Sequence, residues 1–541
     1  MLRAFWTWDP VSSGKAGTFG EPDAHTDNKW FFDKSVWQKM FRAMSGCGFD
    51  ALVLANAHPF PFMIDTPAYP EARVVDESTL SVYQAMHHWI FETALDYDIA
   101  SYLAFFNIHE PEHIDLAIEY TSHCLRTVLE TYPEISGFVA DMGGIDGDTA
   151  AGARFVQQAI LDTMDAARPD AAIYLRGFTG DPGELVAGIH RRGNHSIHYI
   201  APYTHRHLVG AGGDAAYRQW QEAVGPEFLL AEMDFCNFEP WTSFSYDTAE
   251  DILDDLKDTS GHGFLMHPLS EFEWPHTSDT FFTYQWQRDL LWYKAWGGTG
   301  VGRLPSQGQP KWLPRNQKLI PGFTAGSRIL ELMSLYVAGD KSRGWRPQFC
   351  SIGCEDGSRH LLSIADMLSM TTDPAFPGRQ WWEEVTGDAV IHLEEYLRSG
   401  TSPDAYGPDE LIEELADLSE QAVTAGEKGM RSASGEKELP SFARDALCMG
   451  RLGEFYVERL RAALAHARGE DAEALEHMAR ALGLYREISA VDSSHRTAFR
   501  IRGDHWGTPG DFLETVNALE SEYADAGAGR FEQGTAYRIG V

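Results

Sequence analysis

Carboxylates and aromatic rings alternate in the stretch FLLAEMDFCNFEPW, residues 228–241. Glu232, Asp234 and Glu239 follow directly on an apolar run that predicts a buried strand. Hydrolysis of a glycosidic bond needs two carboxyl groups, one protonated as the acid and one ionised as the base or nucleophile. Aromatic rings offer flat apolar surfaces on which a sugar ring can pack. The stretch is therefore either a solvated loop after a strand or the acid-bearing edge of a sugar site.

Similar side chains follow most other apolar runs in the first 300 residues. Asp141 ends the run ISGFVAD and precedes the glycines of MGGIDGD, which allow a ligand to approach the backbone closely. Arg176 ends the run AAIYLRG, where a charge is costly unless paired, so it holds either a substrate anion or an internal carboxylate. The other candidates are Trp6, Trp8, Asp9, His109, Tyr203, His205, Asp234 and Trp274 for substrate binding, with Glu271 as a reserve carboxylate.

Roles follow from these positions. We expect Asp141 to be the acid or a group that orients the substrate, and Glu232 or Glu239 to be the base or nucleophile. Trp6, Trp8 and Trp274 are expected to form the floor of the sugar subsites. For each acid taken singly, a helix cap or an ion pair at the rim of the fold is the structural alternative.

The elements that must position these residues are eight short apolar runs alternating with amphipathic segments. The predicted strands are LRAFWTW (2–8), ALVLANA (51–57), ASYLAFF (100–106), ISGFVAD (135–141), AAIYLRG (171–177), SIHYIAP (196–202), EFLLAEM (227–233) and HGFLMHP (262–268). Eight such units over about 300 residues predict a (β/α)8 barrel, whose active sites lie at the carboxyl ends of the strands. The alternative is a doubly wound open sheet, but no glycine-rich phosphate fingerprint follows the first strand.

The rest of the chain changes character. We predict a catalytic barrel over 1–310, a mixed connecting region over 311–400 and an α-helical domain over 401–541. Leu411, Leu415, Leu418 and Ala422 repeat at helical spacing, and the segments 449–467 and 471–488 predict an antiparallel helix pair. The stripe Leu475, Met478, Leu482 and Tyr485 on the second of these is expected to be bundle core.

The composition of the chain argues against some classes of binding partner. The net charge of −36 argues against nucleic acid and anionic membranes, which need a basic surface. No apolar run reaches the 18 or more residues of a membrane span, and MLRAFWTWDP does not resemble a signal peptide, so we expect a cytoplasmic protein. The six cysteines are few and scattered, which favours free thiols over a zinc site at Cys350 and Cys354.

Ordered blocks of the sequence resemble glycoside hydrolase family 67, the α-glucuronidases. The blocks are EISGFVADMGG (134–144), IYLRGFTGDP (173–182), LLAEMDFCNFEP (229–240), FEWPHTSDTFFTYQWQRDLLWYKAWG (272–297) and FYVERLRAAL (455–464). The resemblance implies a barrel followed by a helical C-terminal region, with Arg176 at the place of an arginine that binds a uronate carboxylate. It also implies that Glu239 lies near a glutamate of the family's basic pair.

The sequence departs from that family at three places. Asp141 stands at the approximate place of a lysine, no glutamate follows within MGGIDGD, and APYTHRH offers Tyr203 and His205 where an aspartate is expected. We also expect the chain to lack the N-terminal domain that the family usually carries. The resemblance therefore predicts the shared architecture more strongly than the shared substrate, and a divergent relative with relocated acids.

The leading hypothesis is a glycoside hydrolase that needs no cofactor and acts on an oligo- or polysaccharide, including glycans that contain uronic acid. The first alternative is a metal-dependent barrel enzyme such as a sugar isomerase, with His109, His205, His207 and Glu232 as ligands. The second is a non-catalytic glycan-binding protein. In each case the expected partner is a carbohydrate, and a homodimer is left open.

Overall fold

A computed structural model describes the chain apart from residues 9–28, 57, 107–112, 142–148, 177–181, 190–196, 204–212, 214, 234–239, 243–245, 269–276, 278, 298–312, 338–344, 354–358, 371–388, 401–404, 433–437, 495–511 and 540–541. At residues 8, 29, 106, 141, 149, 188, 246, 247, 313 and 314 it describes the backbone but not the side chain.

Eight parallel strands form a closed barrel in chain order, with β8 returning to pair with β1. They are β1 (Leu2–Trp8), β2 (Ala51–Ala55), β3 (Ala100–Phe106), β4 (Ile135–Asp141), β5 (Ala172–Arg176), β6 (Ile197–Pro202), β7 (Leu229–Met233) and β8 (Gly263–Met266). The predicted barrel is thus confirmed. The doubly wound alternative is wrong, because an open sheet would leave two edges and this sheet has none.

Helices separate the strands and surround them. In chain order they are α1 (Lys34–Gly46), α2 (Phe60–Met63), α3 (Glu77–Leu95), α4 (Ile114–Thr131), α5 (Thr149–Phe155), α6 (Asp162–Ala167), α7 (Pro182–Gly188), α8 (Ala215–Val224) and α9 (Tyr246–Thr259), followed after β8 by α10 (Gln285–Arg288) and α11 (Leu290–Trp296). A π-helical turn, Val156–Leu161, joins α5 to α6. In α1 the residues Val36, Met40 and Met44 share the buried face that their spacing predicts.

The barrel lumen is filled by side chains rather than open. Its core contains alternate residues of the strands: Ala4, Trp6, Ala51, Val53, Ala55, Tyr102, Ala104, Val139, Tyr174, Ile200, Leu230 and Leu265. Intervening residues of the same strands, such as Phe5, Leu52 and Leu103, pack outward against the helices. This two-residue alternation decides which polar side chains at the strand ends point into the lumen.

The C-terminal region is mainly helical. Its helices are α12 (Leu313–Asn316), α13 (Ile320–Val337), α14 (Ile364–Ser369), α15 (Leu393–Ser399), α16 (Pro408–Ser432), α17 (Leu439–Ala467), α18 (Asp471–Ser493) and α19 (Phe512–Gly527). The remaining strands are β9 (Ser351–Gly353), β10 (Arg359–Leu361), β11 (Ala389–Val390), β12 (Ala405–Tyr406) and β13 (Arg538–Ile539). The antiparallel pair predicted over 449–467 and 471–488 corresponds to α17 and α18. The domain boundaries at 310 and 400 stay a prediction, since α13 contributes Phe323 to the barrel core and Ile329 to the C-terminal core.

Four buried charges join the barrel to the helical region. Asp279 and Arg288 come from the segment after β8, and Arg444 and Asp445 come from α17. Arg444 Nη2 lies 2.6 Å from Asp279 Oδ2 and 2.9 Å from Asp445 Oδ1, and Arg288 Nη2 is ion-paired with Asp445. All four side chains are at most 1% exposed. Because two cations match two anions, the tetrad is neutral, which is the condition for burying charge at low cost.

Two sequence-based expectations concern the thiols and the membrane. Cys47, Cys124, Cys350 and Cys448 are buried and take part in no disulfide, and Cys236 and Cys354 lie outside the described residues. Across the part of the chain that the structure describes, no helix combines the length and the apolarity that crossing a bilayer requires.

Candidate functional site

A carboxylate, a guanidinium, an imidazole and an indole meet at the carboxyl end of the barrel. Arg176 is the last residue of β5, Glu232 is the fourth residue of β7, and His267 follows β8 directly. Arg176 donates from Nε to Glu232 Oε1 at 2.9 Å, and Arg176 Nη2 lies 2.7 Å from the same oxygen. His267 Nε2 lies 2.6 Å from Glu232 Oε1. Residues from three neighbouring strands thus form one hydrogen-bonded cluster, which we call the floor triad (Arg176, Glu232, His267).

The ring of Trp6 in β1 packs against two members of the floor triad. Its ring stacks on His267 with centroids 4.7 Å apart and an interplanar angle of 18°, and Arg176 Cζ lies 5.3 Å from the centroid of the ring. The cation over the ring face adds an attraction that grows when the pair is shielded from water. Trp6 is only 1% exposed, so in this conformation it supports the triad and does not present an open platform to a sugar.

The electrostatics of Glu232 follow from its neighbours. Burial opposes the negative charge, but Arg176 and then His267 outweigh that cost and hold the pKa of the Glu232 carboxyl at about 2. Glu232 is therefore ionised at neutral pH and cannot serve as the proton donor. The sequence left open whether Arg176 holds a substrate anion or an internal carboxylate, and the structure pairs it with the internal carboxylate of Glu232.

Asp141 ends β4 beside the floor triad. The strand register pairs its Cα with that of Arg176 on one side and with that of Phe106 on the other. Its side chain lies outside what the structure describes. The backbone register alone therefore brings a candidate catalytic acid next to the buried ion pair.

Tyr203 lies on the other side of the barrel wall. Its hydroxyl donates to Asp255 Oδ2 of α9 at 2.7 Å, and its ring contacts Tyr217 of α8 with centroids 5.1 Å apart. The cause is strand parity, because Ile200 of β6 points into the lumen and a residue three positions later points outward. The structure thus does not bring Tyr203 together with the other predicted substrate-binding residues.

The remaining predicted site residues lie outside the described residues or side chains and stay predictions. The side chain of Trp8 is not described. The residues that are not described at all are Asp9, His109, His205, Asp234, Glu239, Glu271 and Trp274. The same holds for His207, the third histidine of the metal hypothesis. Among the residues that are described, no cluster of three or more potential metal ligands is present, and the Glu232 carboxylate is engaged by Arg176 and His267.

The segment that follows Glu239 is anchored on the helical region. Arg288 Nη1 donates to the Pro240 carbonyl at 2.5 Å, and the Thr242 amide donates to Asp445 Oδ2 at 2.9 Å. Between them, Trp241 Nε1 donates to Asp492 Oδ1 at 2.9 Å and its ring stacks on Phe512 at 5.3 Å. The buried charge tetrad therefore fixes Pro240 and Thr242, which follow Glu239 in the sequence.

Sequence reasoning missed His267 and the tetrad. His267 could have been found, since it lies two residues after Leu265, a lumen residue of β8, and alternation places both on the same face. The tetrad could not, because residues 279 and 445 are brought together only by the packing of α17 on the barrel.

Comparison with known proteins supports the fold class. No protein-family model and no curated protein sequence matches the chain. Among solved structures it is similar to a GH138 enzyme targeting pectin rhamnogalacturonan II, with a TM-score of 0.79 and 17% identity over 97% of this chain and 68% of that one. Two GH84 structures also match, CpGH84B with a TM-score of 0.40 and 9% identity over 96% of this chain and 76% of that one, and CpGH84D with 0.37 and 11% over 97% and 75%. The chain therefore shares the fold of the GH138 enzyme, an eight-stranded barrel with a helical C-terminal region, and the narrower resemblance to family 67 stays a prediction.

Proposed function

We propose that the protein is a glycoside hydrolase acting on an oligo- or polysaccharide that contains uronic acid. The observation that carries the proposal is the likeness of 97% of the chain, barrel and helical region together, to an enzyme described as targeting a pectin. The buried charged unit at the carboxyl end of the barrel supports it, because barrel enzymes hold their catalytic groups there.

The roles proposed for the acids follow from the geometry around the floor triad. Glu232 is ionised and occupied, so it acts as the fixed counter-charge that holds Arg176 in place. Asp141, which neighbours Arg176 in the strand register, is the proposed acid or substrate-orienting group. Glu239 is the proposed base or nucleophile, and the residues that follow it in the sequence are anchored at Pro240 and Thr242. Glu271 is the reserve carboxylate.

The test is a digestion of acidic and neutral glycans. Purified protein is incubated with rhamnogalacturonan II fragments, oligogalacturonides, the same oligogalacturonides with their carboxyl groups reduced to alcohols, and a neutral xylan, with products separated by anion-exchange chromatography. We expect release of product from at least one uronate-containing glycan and less from its carboxyl-reduced form. A folded protein that releases nothing from any of the four would contradict the proposal.

Two variants test the assignment of the acids. We expect Asp141→Asn and Glu239→Gln each to lower turnover by about 10²–10⁴-fold, the usual contribution of an acid or base catalyst, with the thermal midpoint unchanged. The matched control is Asp254→Asn, which removes an exposed carboxylate on α9 and should keep normal turnover. Near-normal rates in both test variants would overturn the assignment while leaving the activity itself established.

A further inference from the structure

A short antiparallel sheet in the C-terminal region buries two arginines on one face. The sheet has the order β13, β10, β9, and an isolated bridge pairs Arg346 with Ser351 of β9. Ser351 pairs in turn with Leu361 of β10, two residues after Arg359. Because paired residues and residues two apart share a face of a sheet, Arg346, Ser351 and Arg359 all lie on the same face.

Among the described residues, no carboxylate pairs with the buried Arg359. Its side chain is 3% exposed, and within the part of the chain that the structure describes neither Nε nor Nη1 has a hydrogen-bond partner. Leu361 and Ile539, which share its face, are fully buried and apolar, so they supply no acceptor. An unpaired cation in such surroundings costs far more free energy than a paired one.

The contrast with Arg459 shows that the sequence can neutralise a buried arginine in this region. Arg459 is 1% exposed, and its Nη1 lies 2.6 Å from Glu522 Oε2. Its Nη2 lies 3.1 Å from Glu522 Oε1, so the ion pair is bidentate. Arg359 is buried to a similar extent, but it has no such carboxylate partner among the residues that the structure describes.

The face that holds Arg359 also carries another group that can donate a hydrogen bond. Ser351 is fully buried, and its Oγ has no partner among the described residues. Gly353 is paired opposite Arg359 and has no side chain that could act as an acceptor. Burial, and then the nearby positive charge of Arg346, lower the pKa of Arg359 to about 9, which is the effect expected of two cations held together in an apolar setting.

We propose that Arg359, with Arg346 and Ser351, binds a small oxyanion, either a carboxylate such as that of an acidic sugar or a phosphate. The planar fork of a guanidinium donates two parallel hydrogen bonds to either group. A bound oxyanion would neutralise Arg359 and accept a hydrogen bond from the hydroxyl of Ser351. The site belongs to the C-terminal region and does not depend on the hydrolase activity proposed above.

Binding is tested by calorimetry on the whole chain with galacturonate, inorganic phosphate and neutral galactose as probes. We expect galacturonate or phosphate to bind and galactose not to bind at this site. Tighter binding of galacturonate would identify a sugar acid as the source of the anion, and tighter binding of phosphate would identify a phosphate ligand. Arg359→Met should raise the dissociation constant of the anion by about tenfold or more, the usual loss for a charged hydrogen bond. Equal binding to wild type and variant, or no binding of either anion, would overturn the proposal.

Stability in the absence of anions gives a second, independent test. We expect Arg359→Met to raise the thermal midpoint, because it replaces an uncompensated buried charge with an apolar side chain. The matched control Arg459→Met should lower it, because it leaves the buried Glu522 carboxylate without its cation. If Arg359→Met lowers the midpoint as much as Arg459→Met does, Arg359 is already neutralised within the chain, for instance by Glu355 or Asp356, and the proposal fails.

Discussion

At the scale of single residues, the ion pair of Arg176 and Glu232 decides how the candidate site is organised. A carboxylate that is 1% exposed and bound by two donors is a fixed charge and not a free reagent. Its role is to place the guanidinium and the imidazole at defined positions in the lumen. This interpretation makes Glu232 essential to the site without making it the acid.

The first prediction concerns the loss of the arginine. Arg176→Met leaves Glu232 buried with only His267 as partner, so the free energy of unfolding should fall by about 3–5 kcal/mol. The double variant Arg176→Met with Glu232→Leu removes both charges and should recover much of that loss. Denaturation by urea measures all three proteins. A double variant that is no more stable than the single one would contradict the ion-pair account.

The second prediction is a pH dependence. The folded pKa of Glu232 is about 2, below the ordinary value of 4.5, so its contribution is complete above about pH 4.5 and is lost as the pH falls towards about 2. That contribution amounts to about 3 kcal/mol. The difference in unfolding free energy between wild type and Glu232→Gln should therefore shrink over this interval. A difference that stays constant from pH 6 to pH 2.5 would show that the carboxyl is not held ionised.

The third prediction separates Tyr203 from the substrate site. Tyr203→Phe loses the hydrogen bond to Asp255, so stability should fall by about 0.5–1.5 kcal/mol. Turnover and KM should stay at their normal values because the hydroxyl faces α9 and not the lumen. A raised KM with unchanged stability would place Tyr203 in the site after all.

At the scale of elements, the strands were predictable because each is a short apolar run between turn residues, and the structure reproduces β1, β3 and β4 residue for residue. β7 begins two residues later than predicted, since a 3₁₀ turn over Pro226–Phe228 takes up its first residues. The side from which a strand-end residue projects was less predictable. Alternation would have found His267 and excluded Tyr203, whereas no local pattern reveals which distant helix anchors a loop.

The fourth prediction concerns the buried tetrad. Asp445→Asn leaves two buried arginines facing the single carboxylate of Asp279, so the unfolding free energy should fall by about 3–5 kcal/mol. The double variant Arg288→Met with Asp445→Leu leaves a neutral pair of Asp279 and Arg444 and should be more stable than Asp445→Asn. Glu427→Gln, at the exposed pair with Arg431, is the control and should change stability by about 0–1 kcal/mol. A loss in the control equal to that in Asp445→Asn would contradict the importance of burial.

At the scale of the whole molecule, the net charge of −36 affects how fast the protein can bind the acidic glycan that we propose as its substrate. A uronate-containing glycan is itself an anion, so at low ionic strength the two repel each other over a Debye length of about 30 Å. Added salt screens that repulsion, which should raise kcat/KM for the acidic glycan between about 0.01 and 0.15 M NaCl. The carboxyl-reduced form of the same glycan carries no charge and should show no such rise, which makes it the matched control. A kcat/KM for the acidic glycan that falls with salt would instead indicate that local cations, such as Arg176, outweigh the field of the whole molecule and attract the substrate.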